Sequence, residues 1–449
     1  MSYADRDQRH IWHPFTQMSD WLKEHPLVIE RAEGNTLIDT EGNCYLDGVS
    51  SLWVNVHGHD HPKIRRAVHE QLDRLAHSTL LGLASVPSID AAEKLLEVAP
   101  RGLTRVFFSD NGSTAVEIAA KMAFQYWQQH PDRRLQKKTR FVALKSAYHG
   151  DTLGAVSLGG VDLFHQIFGP LCFPVYRAEN AGCYRCPYGL RYPDCDVHCL
   201  ESMEGILEHH GEEIAAVVVE PLMQAAAGML RLPEGWLRRV RGLCDRHEVL
   251  LIADEVATGF GRTGRMFACE HEGVTPDLLA VAKGLTGGFL PLAATLATER
   301  VFEGFLGPVE AGRQLFHGHT YTGNALGCAA TVANLEIFKA EDVLARVRAR
   351  AARLAQRLEG LRDLAWVGDI RQRGLMVGVE LVRDRETREP FDPAERMGHH
   401  VCMAIRNRGV ILRPLGDVVV LMPPLSVTEA EIDHLVSALE ASIREVAAG

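Results

Sequence analysis

A lysine closes the apolar run of LLAVAKGLTGG (Leu278–Gly288), and a glycine-rich turn follows it. An ammonium group is costly to bury unless it is paired or neutralised. Lys283 therefore has two readings. Either it snorkels, its stem on the core and its head in water, or its amine is held as a neutral imine with a carbonyl compound. The rest of the chain decides between them.

Four further positions bear on that choice. SDNGSTAVE puts Gly112, Ser113 and Thr114 where a strand turns into a helix, so backbone N–H groups and hydroxyls can face an anion. Asp254 ends the otherwise uncharged strand of VLLIADEV, where a carboxylate needs a cationic partner. That partner is either an arginine such as Arg262 or a protonated pyridine nitrogen. Tyr148, in AYHGDT, can stack on a flat ring, and Glu220 ends the apolar run AAVVVEP. Imine lysine, pyridinium partner, phosphate cradle and ring stack together are the set that pyridoxal 5'-phosphate requires.

The elements that must position these residues follow from patterning. Short apolar runs alternate with amphipathic ones, the mark of an α/β fold with a mostly parallel sheet covered by helices. RVFFSDNG, RFVALKSAYHG, AAVVVEP, VLLIADEV and LLAVAKG read as strands, and each delivers polar residues at its carboxyl end. Ligands gather at that end of a parallel sheet, so Asp110, Ser113, Tyr148, His149, Glu220, Asp254 and Lys283 are expected at one site. We divide the 449 residues into an N-terminal segment of a small domain (1–60), a large domain (61–330) and a smaller α+β C-terminal domain (331–449). The last opens with a long Ala/Arg/Leu helix.

Composition excludes several classes. Hydrophobic content of 46% and charged content of 24% suit a globular protein with a large core. A net charge of -10 leaves no basic footprint, so nucleic acid is not an expected partner. The N-terminal stretch MSYADRDQRHIWHPF has no apolar targeting region and no window approaches membrane-spanning length, so a cytoplasmic protein without a membrane partner is expected.

Nine stretches, HIWHPFTQM, DGVSSLWVNVHGHDHP, AHSTLLGL, FFSDNGSTAVEIAAKMAFQYW, YHGDTLGAVS, IADEVATGFGRTGRMFACEH, AKGLTGG, FHGHTYTGN and RPLGDVVVLMPPL, span the chain. Through them it resembles the class III aminotransferases, enzymes of pyridoxal-phosphate fold type I. HPFTQM, SSLW, QYW and MPPL are similar to the branch that aminates 8-amino-7-oxononanoate in biotin biosynthesis. The resemblance implies Lys283 as the Schiff-base lysine and proton shuttle, Asp254 as partner of the pyridine nitrogen, and Gly112 and Ser113 as phosphate binders. It implies His319 and Thr320 of HGHT at a phosphate site completed across a homodimer, with Gly318 beside the substrate. Trp53 and Tyr148 become pocket walls, and Arg413 the cation that receives a substrate carboxylate. Glu220 orients ring substituents. Phe15 stands where the better-known branch has a tyrosine, which bears on the amino donor. S-adenosylmethionine is expected, with lysine, or a general ω-amine:pyruvate reaction, as alternatives.

Ten cysteines complete the picture. Six are scattered, and four cluster as Cys183, Cys186, Cys195 and Cys199 in CYRCPYGLRYPDCDVHC, an insertion at 180–200. A CxxC followed by a CxxxC can hold a structural zinc through four thiolates. The other reading is a Pro/Gly-rich surface insertion with free thiols. Both stay open, and no metal is expected at the reaction site.

Overall fold

The computed structural model describes residues 1–448. Three short strands come first, β1 (Ile29–Glu33), β2 (Thr36–Asp39) and β3 (Cys44–Asp47), paired antiparallel in that order. The large domain then lays down β4 (Leu103–Ser109), β5 (Arg140–Leu144), β6 (Tyr176–Ala178) and β7 (Ile214–Val219). After a ribbon of β8 (Met223–Gln224) and β9 (Leu230–Arg231) come β10 (Leu250–Asp254), β11 (Leu278–Val281) and β12 (Ala293–Thr298). The runs IAAVVV, LLIAD and LLAV are apolar at nearly every position, so both faces must be covered. As β7, β10 and β11 they are buried throughout.

The large sheet has the order β4-β12-β11-β10-β7-β5-β6. All its strands run parallel except β12, which is antiparallel to both β11 and β4. The helix Gly112–Gln128 packs under this sheet through Ala115, Ile118, Ala119, Met122 and Ala123, an i, i+3, i+4 stripe of small and apolar side chains.

The C-terminal region supplies β13 (Val367–Arg373), β14 (Met376–Leu381), β15 (Val410–Ile411), β16 (Arg413–Leu415) and β17 (Val418–Leu421). Four of them form an antiparallel sheet ordered β13-β14-β17-β16. The fifth, β15, runs parallel to β3 and completes the N-terminal sheet. The expected long helix after residue 331 is two helices, Ala325–Ala340 and Val343–Glu359, broken at Asp342 with a positive φ of 45°. The first runs through the expected 330/331 boundary. It packs on the large-domain helices Pro62–Leu72 and Val86–Val98, and Asn334 donates to the carbonyls of Gly284 and Leu285 at 2.9 and 3.0 Å. Packing rather than composition therefore carries the large domain to about residue 340.

Candidate active site

The carboxyl ends of β4, β5, β7, β10 and β11 open into one cavity of about 480 Å³, within the range of small-molecule sites. Asp110, Asn111, Gly112 and Ser113 line it after β4, Tyr148 and His149 after β5, and Glu220 after β7. Asp254 and Lys283 come from β10 and β11. Phe15, Trp53 and Phe164 form further wall, and Arg413 reaches in from β16 of the small domain.

The phosphate-cradle candidate is built by a cap. Asn111 accepts from the Thr114 N–H at 3.1 Å, so its carboxamide starts the helix Gly112–Gln128 and holds the first turn against the cavity. A side chain at Gly112 would strike Val256 Cγ1 at 2.6 Å. One at Gly150, where φ is +121°, would strike Ser113 Oγ at 2.0 Å. Both glycines thus let backbone N–H groups stand bare at the turn.

Asp254 and His149 are a buried pair, with His149 Nδ1 2.8 Å from Asp254 Oδ2. The other carboxylate oxygen accepts from the Val256 N–H at 3.0 Å. Arg262 is not the partner. Its buried guanidinium donates to Ser50 Oγ at 2.9 Å, the Asn55 carbonyl at 2.6 Å and the Pro423 carbonyl. There it ties the N-terminal segment to the C-terminal domain, and burial pulls it down to about 9.

Lys283 has φ of +48°, a conformation that costs a side-chain-bearing residue energy and clusters at functional sites. Its Nζ lies 4.9 Å from the ring centroid of Trp53. No hydrogen bond or ion pair holds this amine among the described residues. Its enclosure pulls it down to about 8, against the opposing pull of Asp254 and Glu220. An amine of that basicity can both take and give a proton near neutral pH.

Glu220 accepts from the N–H groups of Ala225 at 2.9 Å and Tyr148 at 3.2 Å. Burial pushes its carboxyl up to about 7. The folded value lies above the unfolded one of 4.5, so the folded state holds the extra proton. The stability it contributes is full below about pH 4.5 and lost as pH rises to 7, a difference of roughly 3 kcal/mol. Glu220→Gln should flatten that decline in urea unfolding measured from pH 4.5 to 8. An unchanged slope would contradict it.

Tyr148 donates its hydroxyl to Asp151 Oδ2 at 2.6 Å and meets Phe164 edge-on, with centroids 6.2 Å apart. Phe164 in turn meets Phe15 at 5.2 Å. Gly318, His319 and Thr320 do not line the cavity of their own chain. His319 Nδ1 stands 2.8 Å from the Asp110 carboxylate at its rim, and the Thr320 carbonyl accepts from His77 at 2.9 Å.

The chain matches the family model of class III aminotransferases over residues 18–443. It belongs to that family. This aminotransferase is 60% identical over 437 residues to the adenosylmethionine-8-amino-7-oxononanoate aminotransferase of Nitratidesulfovibrio vulgaris, covering 97% of this chain and 80% of that one. It is 54% identical to the enzyme of the same name from Geobacter sulfurreducens, over 99% and 98% of the two chains. The crystal structure of the Methanocaldococcus jannaschii enzyme of that name superposes with a TM-score of 0.93 at 46% identity, over 98% of both chains. An amine transaminase from an uncultivated Pseudomonas species, solved with pyridoxal phosphate bound, gives 0.93 at 38% identity over 97% and 98%. The fold is thus the α/β fold of the pyridoxal-phosphate-dependent class III transaminases, the α/β sheet as the patterning led us to expect and the family as the resemblance implied.

Two residues of the aminotransferase's cavity carried no role in the sequence reading. His149 was legible only as a polar residue after a strand, because its partner Asp254 lies two strands away across β7. Phe164 sits in the four-residue helix Asp162–His165, whose composition gives no sign that it reaches the cavity.

Proposed function

We propose that this class III aminotransferase transfers an amino group to 8-amino-7-oxononanoate, giving 7,8-diaminononanoate for biotin synthesis, with S-adenosylmethionine as donor. The observation that carries the reading is the shared name of relatives at 46–60% identity aligned over nearly the whole chain. The cavity supports it. Arg413 faces a mostly apolar pocket and has no ion-pair partner among the described residues, which suits an acceptor with a hydrocarbon chain and a terminal carboxylate.

The cavity's donor set fits pyridoxal 5'-phosphate. Bare N–H groups at Gly112 and Ser113 would take the phosphate, Asp254 the proton of the ring nitrogen, Tyr148 a ring face, and Lys283 would anchor the carbonyl carbon. When bound, the cofactor supplies an electron sink for a carbon that loses its proton. The chain's own work is then positional and acid–base. Lys283 Nζ carries the proton, held near neutrality by its enclosure. Asp254 keeps a fixed negative charge at the far end of the cavity, oriented by His149. Trp53, Phe164 and Phe15 shield the reacting face from water.

The same reading takes the enzyme as a cytoplasmic homodimer. Leu81, Leu163, Ile167, Val309 and Phe316 are all at least 74% exposed in the single chain, and on this reading the partner subunit covers such side chains. No helix of the described residues is long and apolar enough to cross a membrane.

A panel of donors (S-adenosylmethionine, lysine, simple amines) against acceptors (8-amino-7-oxononanoate, pyruvate) tests the reading. Turnover of the oxononanoate with S-adenosylmethionine is the expected result. Lysine as the faster donor would overturn the donor assignment. Pyruvate turnover without oxononanoate activity would favour an amine transaminase, the reading that the Pseudomonas neighbour and an omega-aminotransferase of Caulobacter vibrioides at 34% identity stand behind. Arg413→Ala should raise the KM for the oxononanoate about 10- to 100-fold, the loss of one charged hydrogen-bonding contact, and change kcat far less. Steady-state kinetics with the acceptor varied will show whether KM moves alone.

A further inference from the structure

The four-cysteine segment has no part in the reaction described above. Residues 179–197 carry neither helix nor strand, and so long an irregular stretch is uncommon in a compact domain unless something else orders it. Its own apolar side chains do so only at its two ends, where Ala181 and Val197 join the core, while Tyr188, Leu190 and Tyr192 between them are exposed. Nor are its cysteines core filler. Cys244, Cys269, Cys328 and Cys402 are buried in apolar surroundings, whereas Cys183, Cys186 and Cys195 retain solvent contact on the loop and Cys199, in the turn His198–Leu200 that ends it, is only partly buried against the core. All four instead line one cavity of about 20 Å³, room for a single ion or water.

We infer that Cys183, Cys186, Cys195 and Cys199 form a structural site for one thiophilic divalent cation of the Zn²⁺ type, held by four thiolates. The CxxC and CxxxC pairs bring two cysteines each from opposite ends of the loop to the same cavity. The thiols act on one another electrostatically, and burial pushes Cys199 up to about 12. A divalent cation reverses that balance, displacing four thiol protons to solvent and leaving a complex with two net negative charges. Arg231 lies near enough to favour the Cys183 thiolate. His198 also lines the cavity, with its Nδ1 2.7 Å from Glu201, and the four thiols outnumber it as soft donors for a thiophilic ion. Among the described residues no three donor side chains already stand around one point at metal-ligand spacing. Closing the site therefore requires the thiols to turn inward onto the cavity they line.

The position gives such a site a purpose. Arg185 binds Glu380 of β14 at 2.7 Å and the Arg388 carbonyl at 2.9 Å, and Arg388 returns a bond to the Tyr184 carbonyl. On the other side, Arg239 of the large-domain helix Trp236–Arg246 donates to the Asp196 carbonyl at 2.8 Å. The loop is thus a strap between the domains. Cys183 and Tyr184 also line a second, outer cavity of about 1280 Å³ that shares Phe15 with the catalytic one.

The test uses the intact enzyme with its cofactor, purified under reducing conditions without added metal. Mass spectrometry of the metal content should find one equivalent of zinc per chain, released when p-mercuribenzoate caps the thiols. Replacing zinc by Co²⁺ should give the intense visible bands of tetrahedral cobalt thiolate. The Cys183→Ser/Cys186→Ser pair should lose the metal, while Cys44→Ser/Cys172→Ser retains it. If the first pair is insoluble, Co²⁺ titration of the unaltered enzyme decides. Four thiols that titrate freely with Zn²⁺ in excess, or metal kept by the Cys183/Cys186 variant, would overturn the assignment. Neither result depends on which amine or keto acid the enzyme uses.

Discussion

Lys283→Ala is expected to lower turnover by more than about a thousandfold, the range assigned to loss of a positioned acid–base group that also anchors the reactant. The amine belongs to the one lysine that lines the cavity, and it lies within the field of both Asp254 and Glu220. Arg413 enters from the opposite, small-domain side and cannot replace it. The decisive readout is not activity alone. Borohydride treatment of the unaltered enzyme should leave a pyridoxyl group on the peptide containing Lys283, and the variant should carry none. A variant that still turns over at a normal rate, or an adduct on another lysine, would refute the assignment.

Asp254→Asn should cost about 100- to 1000-fold in the rate of the first half-reaction, the size of effect seen when a fixed charge facing a reacting group is removed. The substitution keeps the shape and the bond from the Val256 N–H. What it removes is the negative charge that a protonated ring nitrogen needs at the end of β10. The carboxamide also replaces the carboxylate oxygen that His149 meets at 2.8 Å in a buried setting. Single-turnover absorbance with donor alone measures the effect, and thermal unfolding shows whether the fold is intact. A loss of stability matching the loss of rate would reduce Asp254 to a structural role.

Much of this site can be read from the chain because its strands are extreme. β7, β10 and β11 are apolar on both faces, so the single polar residue closing each one stands out. What stayed hidden depends on direction and distance. AATLAT, as β12, has the composition of its parallel neighbours, and nothing in it encodes that it runs antiparallel to them. Arg262 was a reasonable candidate for Asp254 by sequence distance, yet its three oxygen partners come from residues 50, 55 and 423. The 331 boundary rested on an Ala/Arg-rich pattern, whereas Asn334 is fastened to the backbone just after Lys283. Composition there reports helix, and only packing reports to which domain the helix belongs.

The pairing of β3 with β15 sets the order in which a newly made chain can mature. The N-terminal sheet is finished by Val410 and Ile411, which leave the ribosome more than a hundred residues after the last strand of the large sheet, Ala293–Thr298. Every strand of the large sheet precedes them, so that sheet can assemble during translation. Residues 29–47 meanwhile wait with one strand edge unpaired, and such edges invite association with other chains. Phe15 and Trp53 flank this waiting segment on either side and wall the catalytic cavity. The reaction centre therefore becomes complete only after residues 410–413 have been made, and a chain truncated before residue 410 would carry Lys283 and Asp254 in an open, water-filled cleft.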